Sequence, residues 1–316
     1  MSGDILFAAT GWDSELWAQK FEAAAPQRKV HIYPDGINDA AINYAIVWKQ
    51  AEGALAGLPN LKVIFSLGAG VDHVFRDAKI PNVPVVRVVS NDLTNRMSEY
   101  IIWQVLDHHR MGMKYRGQQQ AKIWLEDRSQ LAAKDITVGM LGLGVLGKDA
   151  ALKLKALGFN VTGWSRSAHQ IDGVATYDGE AKLPNFLAEV DILVCLLPLT
   201  PATANIIAKP LIYAMVKRGP LGAPVIINAG RGGLQNEADL LEALDDGHLS
   251  ALSLDVFQQE PLPQPSPFWS HPKVTLTPHC AAASDPNALV EPIIRQMAAF
   301  ERGEALTNLV DLAQQY

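Results

Sequence analysis

Short apolar runs bounded by Gly, Pro or charge alternate along this chain with longer stretches in which apolar positions return every three or four residues. The first pattern reads as buried strand and the second as amphipathic helix. In the N-terminal part the runs at 4–9, 30–33, 45–48 and 63–67 are expected to be strands, with a helix over 12–25. A long helical stretch over 96–116 follows, then a polar segment at 117–120. A second series of strands is expected near 136–141, 159–164, 190–197, 224–229, 251–256 and 273–277, and a last helix over 286–302. Strands and helices that alternate at this spacing form βαβ units and hence parallel sheets, so the chain is read as α/β. It shows no repeat, low-complexity tract or heptad run.

The apolar run at 136–141 leads directly into Gly142, Gly144 and Gly147. Gly142 permits a tight turn, Gly144 lets backbone approach a pyrophosphate, and Gly147 lets the next helix pack close to the strand. The amides of Val145, Leu146 and Gly147 then face the anion at the helix N-terminus. Glycines so spaced also serve plain packing, and the motif gains meaning only from its strand-to-helix context. The following strand ends in Trp164, Ser165, Arg166 and Ser167, where an NAD site carries an acidic residue for the ribose hydroxyls. An arginine flanked by hydroxyls suits a 2′-phosphate instead. We therefore expect NADPH/NADP, with NADH as the weaker alternative. The first series of strands lacks such a fingerprint. The expected architecture is a Rossmann-type doubly wound parallel sheet at 98–282 for the dinucleotide. It is inserted into a smaller flavodoxin-like α/β domain, made of 1–97 and 283–316, for the substrate.

Composition adds mostly exclusions. A chain of 316 residues, 48% hydrophobic, can bury a substantial core. A net charge of −6 leaves no basic footprint for nucleic acid, and the apolar runs are too interrupted to suggest a membrane span. The opening residues 1–4 do not read as a secretory leader. Of two cysteines, Cys195 falls in an apolar strand and Cys280 follows His279, with no spacing for a metal or a local bridge. We expect a cytoplasmic protein without a metal.

Ligands of open α/β sheets bind outside the carboxyl ends of the strands. Arg231, Glu260 and His279 follow three successive strands of the second series. Reduction of a 2-oxo acid needs a cation for the carboxylate and carbonyl and an acid for the emerging alkoxide. Arg231 and His279 supply these, and Glu260 is the carboxylate to partner the histidine. Singly, each has a plainer reading: a solvated arginine, a turn glutamate, a structural histidine. Their joint placement downstream of a dinucleotide turn favours catalysis. His108 and His109 are adjacent on a helix and are assigned to surface or interface roles. His73, His169, His248 and His271 have no companions that suggest chemistry.

At these residues the chain resembles the D-isomer-specific 2-hydroxyacid dehydrogenases over essentially its whole length. The resemblance rests on Asn228 to Gly232, Leu254 to Pro261 and Thr277 to His279. It implies that Arg231 binds the substrate carboxylate and carbonyl, that His279 is the general acid/base, and that Glu260 pairs with His279. It further implies that Asp255 contacts the nicotinamide carboxamide, and that Leu197, Pro198, Thr203 and Ala229 line the cofactor. Residues 66–72 resemble the family loop whose amides receive the carboxylate, which makes Gly68, Ala69 and Gly70 substrate-binding, with Trp48 bordering a small substrate. Together with residues 164–167, these features resemble the members that reduce glyoxylate and hydroxypyruvate to glycolate and D-glycerate. The alternatives are an NAD-dependent dehydrogenase for another oxo acid and a dinucleotide-sensing binding protein of the same fold. The stretch 110–134, with Trp124, resembles the family's dimer arm, which implies a homodimer.

Overall fold

The computed structural model describes residues 3–35, 40–215 and 221–312. The chain divides into two compact units, Met1–Leu93 with Ser284–Tyr316, and Thr94–Ala283.

In the first unit, β1 (Asp4–Ala9), α1 (Ser14–Ala24), β2 (Val30–Ile32), β3 (Ile42–Trp48), β4 (Val63–Ser66), α2 (Asp72–Phe75) and β5 (Val85–Val86) build a parallel sheet of order β2-β1-β3-β4-β5. That order is the flavodoxin-like one. Its central strands are apolar on both faces because helices cover both; Ile5, Leu6, Phe7, Ile46, Val47 and Ile64 are all fully buried. Asp13 starts α1 by accepting from the Leu16 amide at 3.0 Å. The two-residue strand β5, too short to carry a period, was not expected.

The second unit begins within α3 (Asn91–His109) and continues through α4 (Gly112–Gln120), β6 (Thr137–Leu141), α5 (Val145–Ala156), β7 (Asn160–Ser165), β8 (Ala175–Asp178), α6 (Leu183–Leu187), β9 (Ile192–Cys195), α7 (Lys209–Ile212), β10 (Val225–Asn228), α8 (Glu237–Asp245), β11 (Ala251–Leu254) and β12 (Val274–Leu276). Its seven strands are parallel in the order β12-β11-β10-β9-β6-β7-β8, the doubly wound arrangement. The order reverses between β6 and β9, so the crevice expected to take a ligand lies past Leu141 and Cys195. The last helix, α9 (Pro286–Glu301), returns to the first unit. There the Glu301 carboxylate accepts from buried Arg28 at 2.8 Å and from the Tyr44 hydroxyl at 3.0 Å.

Several expectations need correction. The single helix over 96–116 is two helices, broken where Met111 adopts a left-handed φ of 56°, and the polar 117–120 segment is helical. The edge strand β8 was missed because its residues are half-exposed and show no apolar run. His109 is buried and His108 half-buried, so neither is a plain surface residue. His108 donates from Nε2 to Ser253 Oγ at 2.7 Å, and His109 is 6% exposed with its ring edge against Phe159. Burial pushes the His108 imidazole down to about 4. Cys195 is a core residue, its thiol pushed up to about 12 by burial. Among the described residues no helix is long and apolar enough to cross a membrane.

Candidate active site

The glycine turn after β6 has the geometry its sequence requires. Gly142 has φ 111°, open to glycine only at little cost, and a methyl there would meet the Leu196 backbone at 3.0 Å. A methyl on Gly147 would lie 2.0 Å from the Gly142 carbonyl oxygen, so α5 packs directly on the turn. Among the described residues nothing lies within 4 Å of the position a Gly144 side chain would take, and no side chain caps α5. The first-turn amides of an uncapped helix, with open space above them, suit a pyrophosphate. Across the reversal, the turn after β9 is pinned by Thr203, whose Oγ accepts from the Thr200 amide at 2.8 Å and donates to the Pro198 carbonyl at 2.7 Å.

At the tip of β7, Arg166 and Ser167 are exposed and no carboxylate occupies the tip itself. Ser165 is buried and its hydroxyl donates to the Ser167 carbonyl at 2.8 Å, shaping the turn. Trp164 belongs to the core: it is 5% exposed, and its indole donates to the Gly179 carbonyl at 2.9 Å. Ala229 is likewise buried, at the end of β10.

His279 follows β12 in a left-handed conformation, φ 54°. Its Nδ1 lies 2.7 Å from Glu260 Oε2, and each of the two side chains keeps about a quarter of its surface exposed, 25% and 23%. The other Glu260 oxygen accepts from the Phe257 amide at 3.1 Å, which orients the carboxylate. The histidine turn hangs on Asp255. One Asp255 oxygen accepts from Thr277 Oγ1 at 2.7 Å and from the Cys280 amide at 2.9 Å; the other accepts from the Ala281 amide at 3.0 Å. The Asp255 carbonyl also takes the His279 amide at 2.8 Å. Expected at a nicotinamide carboxamide, Asp255 is 1% exposed and holds its own chain.

Arg231 follows β10 and Gly230, half-buried, with its guanidinium donating to the Gly230 carbonyl at 2.8 Å. Asn228 ties this turn by accepting from the Gly230 amide at 3.0 Å and donating to the Arg231 carbonyl at 3.1 Å. Gln235 joins it to the glutamate turn, accepting from Asn228 at 2.8 Å and donating to the Val256 carbonyl at 3.0 Å. A methyl on Gly232 would lie 1.9 Å from the Phe257 carbonyl, so the two turns touch through bare backbone. Arg231, Glu260 and His279 thus sit on three turns that brace one another. Sequence reasoning passed over Gln235 because a buried amide carries no chemical signature.

In the first unit, Gly68, Ala69 and Gly70 follow β4, with Ala69 and Gly70 half-exposed. Trp48 packs against Gly68, where a methyl would come within 2.1 Å of its ring. Trp48 also contacts Trp12, ring centroids 5.9 Å apart, and meets His73 edge-on at 4.8 Å. Among the described residues no group of three His, Cys, Asp or Glu side chains could hold a metal.

Fold and site define a two-unit α/β protein with a dinucleotide turn and a histidine–carboxylate pair on the same sheet. Comparison with known proteins narrows this. Residues 102–281 match the family described as D-isomer specific 2-hydroxyacid dehydrogenase, NAD binding domain. The chain is 39% identical to glyoxylate/hydroxypyruvate reductase A of Serratia proteamaculans, over 99% of this chain and all of that one. Among solved structures it resembles an NADPH-dependent glyoxylate/hydroxypyruvate reductase of Sinorhizobium meliloti in complex with NADP and sulfate: 46% identity, TM-score 0.95, covering 99% of this chain and 100% of that one. It also resembles a probable 2-hydroxyacid dehydrogenase of Rhizobium etli in complex with NADP, HEPES and tartaric acid: 42% identity, TM-score 0.93, full coverage of both. The chain belongs to the D-isomer-specific 2-hydroxyacid dehydrogenases.

Proposed function

We propose that this protein reduces glyoxylate and hydroxypyruvate to glycolate and D-glycerate with NADPH, and that His279 donates the proton. The observation that carries the reading is the 2.7 Å His279 Nδ1–Glu260 contact, which holds the ring by Nδ1 and directs Nε2 away from the carboxylate. The names of relatives at 39% and 46% identity support the choice of acid and of cofactor.

When bound, the reduced nicotinamide supplies a hydride to C2 of the oxo acid. Arg231 pairs its planar guanidinium with the substrate carboxylate and polarises the carbonyl. Glu260 accepts from Nδ1–H, and the proton on Nε2 passes to the forming alkoxide oxygen, which becomes the hydroxyl. The amides of Ala69 and Gly70 receive the carboxylate beside Gly68, and Trp48 limits the size of the acid. Val145, Leu146 and Gly147 amides hold the pyrophosphate. Arg166 and Ser167 take the 2′-phosphate, with Ser165 shaping their turn, while Leu197, Pro198, Thr203 and Ala229 line the cofactor. On this reading residues 98–282 are the dinucleotide domain, and 1–97 with 283–316 the substrate domain.

The test is the initial rate of NADPH oxidation, and separately of NADH, with each acid. We expect rapid turnover with NADPH and weaker turnover with NADH. Turnover with NADH alone would overturn the phosphate-binding role of Arg166, and none with either cofactor would overturn the reaction.

The protein is further read as a homodimer. Support comes from three consecutive exposed apolar residues in the stretch 110–134: Ile123 at 53%, Trp124 at 102% and Leu125 at 63% exposure. Sedimentation should give a dimer, and a monomer at assay concentration would refute it. Two free cysteines fit residence in a reducing cytoplasm.

A further inference from the structure

This inference rests on the reading of Gly68 to Gly70 as the receiver of the substrate carboxylate. We propose that His73 is the positioning residue of that loop: a neutral imidazole, fixed in one tautomer, that braces the turn after β3 and the glycine loop after β4 together.

His73 stands on α2 and is 6% exposed. Its Nδ1 lies 3.2 Å from the backbone nitrogen of Lys49. Gln50 Oε1, an acceptor, lies at the same 3.2 Å from Nδ1, but a backbone N–H can only donate and Ser66 gives its one hydrogen to the Gly68 carbonyl, so the ring proton is assigned to Nε2. Nε2 lies 3.0 Å from Ser66 Oγ, which accepts from it. The same hydroxyl accepts from the Gly68 amide and donates to the Gly68 carbonyl, both at 3.2 Å. The histidine therefore sets the direction of the hydroxyl that holds the first residue of the loop.

On its other side, Lys49 has a φ of 43°, a region that residues other than glycine rarely enter. Its amide is held by His73, and its carbonyl accepts from Thr10 Oγ1 at 2.8 Å. A conformation of this kind persists only where its surroundings over-determine it. The Gln50 side-chain nitrogen donates to the His73 carbonyl at 3.5 Å. The edge of the imidazole also meets Trp48, which in turn covers Gly68. One ring thus joins the Lys49 turn, the Ser66 hydroxyl and the Trp48 face. His73 transfers no proton to substrate; it sets how the Ala69 and Gly70 amides and the Trp48 ring are presented.

The experiment is steady-state kinetics on the full-length protein and on His73→Gln, His73→Ala and Ser66→Ala, with hydroxypyruvate and NADPH. In the two His73→Ala and Ser66→Ala variants the KM for the oxo acid is expected to rise at least about tenfold, equivalent to about 1.4 kcal/mol of substrate binding. The kcat and the KM for NADPH should stay near those of the parent, and His73→Gln, which retains an acceptor and a donor, should recover part of the loss. Nitrogen NMR of the unmodified protein provides a reading that needs no folded variant: the His73 ring must carry its proton on Nε2. A proton on Nδ1, or an unchanged oxo-acid KM in His73→Ala, would overturn the proposal. If the parent itself turns over neither glyoxylate nor hydroxypyruvate, the functional reading fails instead, and the two failures are told apart in the first assay.

Discussion

Two residues other than glycine leave the ends of parallel strands in a left-handed conformation, His279 after β12 and Lys49 after β3, and they are held by opposite chemistry. The His279 turn is gathered by an acceptor: the Asp255 carboxylate collects a hydroxyl and two amides, and its carbonyl collects a third amide. The Lys49 turn is gathered by an imidazole and a hydroxyl, His73 on the amide side and Thr10 on the carbonyl side. A carboxylate that accepts from several N–H groups fixes a turn whose side chain, on the proposed reading, moves protons. A neutral ring that both accepts and donates can serve two loops at once. The difference suggests that the second unit is built around a reacting group and the first around a shape.

The largest effect should come from breaking the reacting group. His279→Gln keeps the size of the side chain and removes the acid, and kcat for hydroxypyruvate should fall by about 10²–10⁴. NADPH affinity, followed by nucleotide fluorescence, should barely change. Turnover near that of the parent would remove His279 from the proton path. Asp255→Asn tests the turn beneath it. Replacing one acceptor oxygen by an NH₂ group faces donor with donor, a loss of roughly 1–3 kcal/mol, and kcat should fall by roughly tenfold to a hundredfold. If NADPH affinity fell and kcat did not, Asp255 would act on the nicotinamide rather than on the histidine turn.

The same contrast explains what could be read in the sequence. Gly142, Arg231, Glu260 and His279 belong to patterns whose spacing is the chemistry: a turn needing φ above zero, a cation, an acid and its carboxylate at successive strand ends. The alternation of strand and helix likewise gave both parallel sheets. His73 was set aside as lacking companions because its partners are the Lys49 amide, 24 residues upstream, and Ser66, whose hydroxyl is unremarkable in sequence. Backbone groups leave no mark in a sequence. Nor do edge strands such as β5 and β8, which lack two buried faces, or the break at Met111, where nothing in the residue type announces a left-handed turn. A surface or interface role is read for His108 because adjacent helix positions point about 100° apart; Ser253, which meets its ring, is distant in the chain.

A smaller effect is expected at the rim of the dinucleotide turn, which neither braced histidine touches. Arg166→Gln removes a charged donor and leaves the hydroxyls. The KM for NADPH should rise about tenfold to a hundredfold while that for NADH stays the same, the loss of one charge-assisted contact of roughly 1.5–3 kcal/mol. An equal change for both cofactors would place Arg166 on something other than the 2′-phosphate.

The smallest effect concerns stability and asks whether the second unit is also the acid-sensitive one. His108 lies under β11, the strand that delivers Asp255, and its Nε2–H donates to Ser253 Oγ, which itself donates to Gln104 Oε1 at 2.6 Å. Burial lowers this imidazole from 6.5 to about 4, so between those values the unfolded chain binds a proton that the folded one refuses. Stability from this site is therefore complete above about pH 6.5 and is lost progressively as pH falls to about 4, at most on the order of 3 kcal/mol. His108→Gln preserves a donor for Ser253 and removes the titration. The fall of the urea midpoint between pH 7 and pH 4.5 should be shallower in this variant than in the parent. Equal slopes would assign the acid sensitivity to other groups and leave the two units alike in this respect.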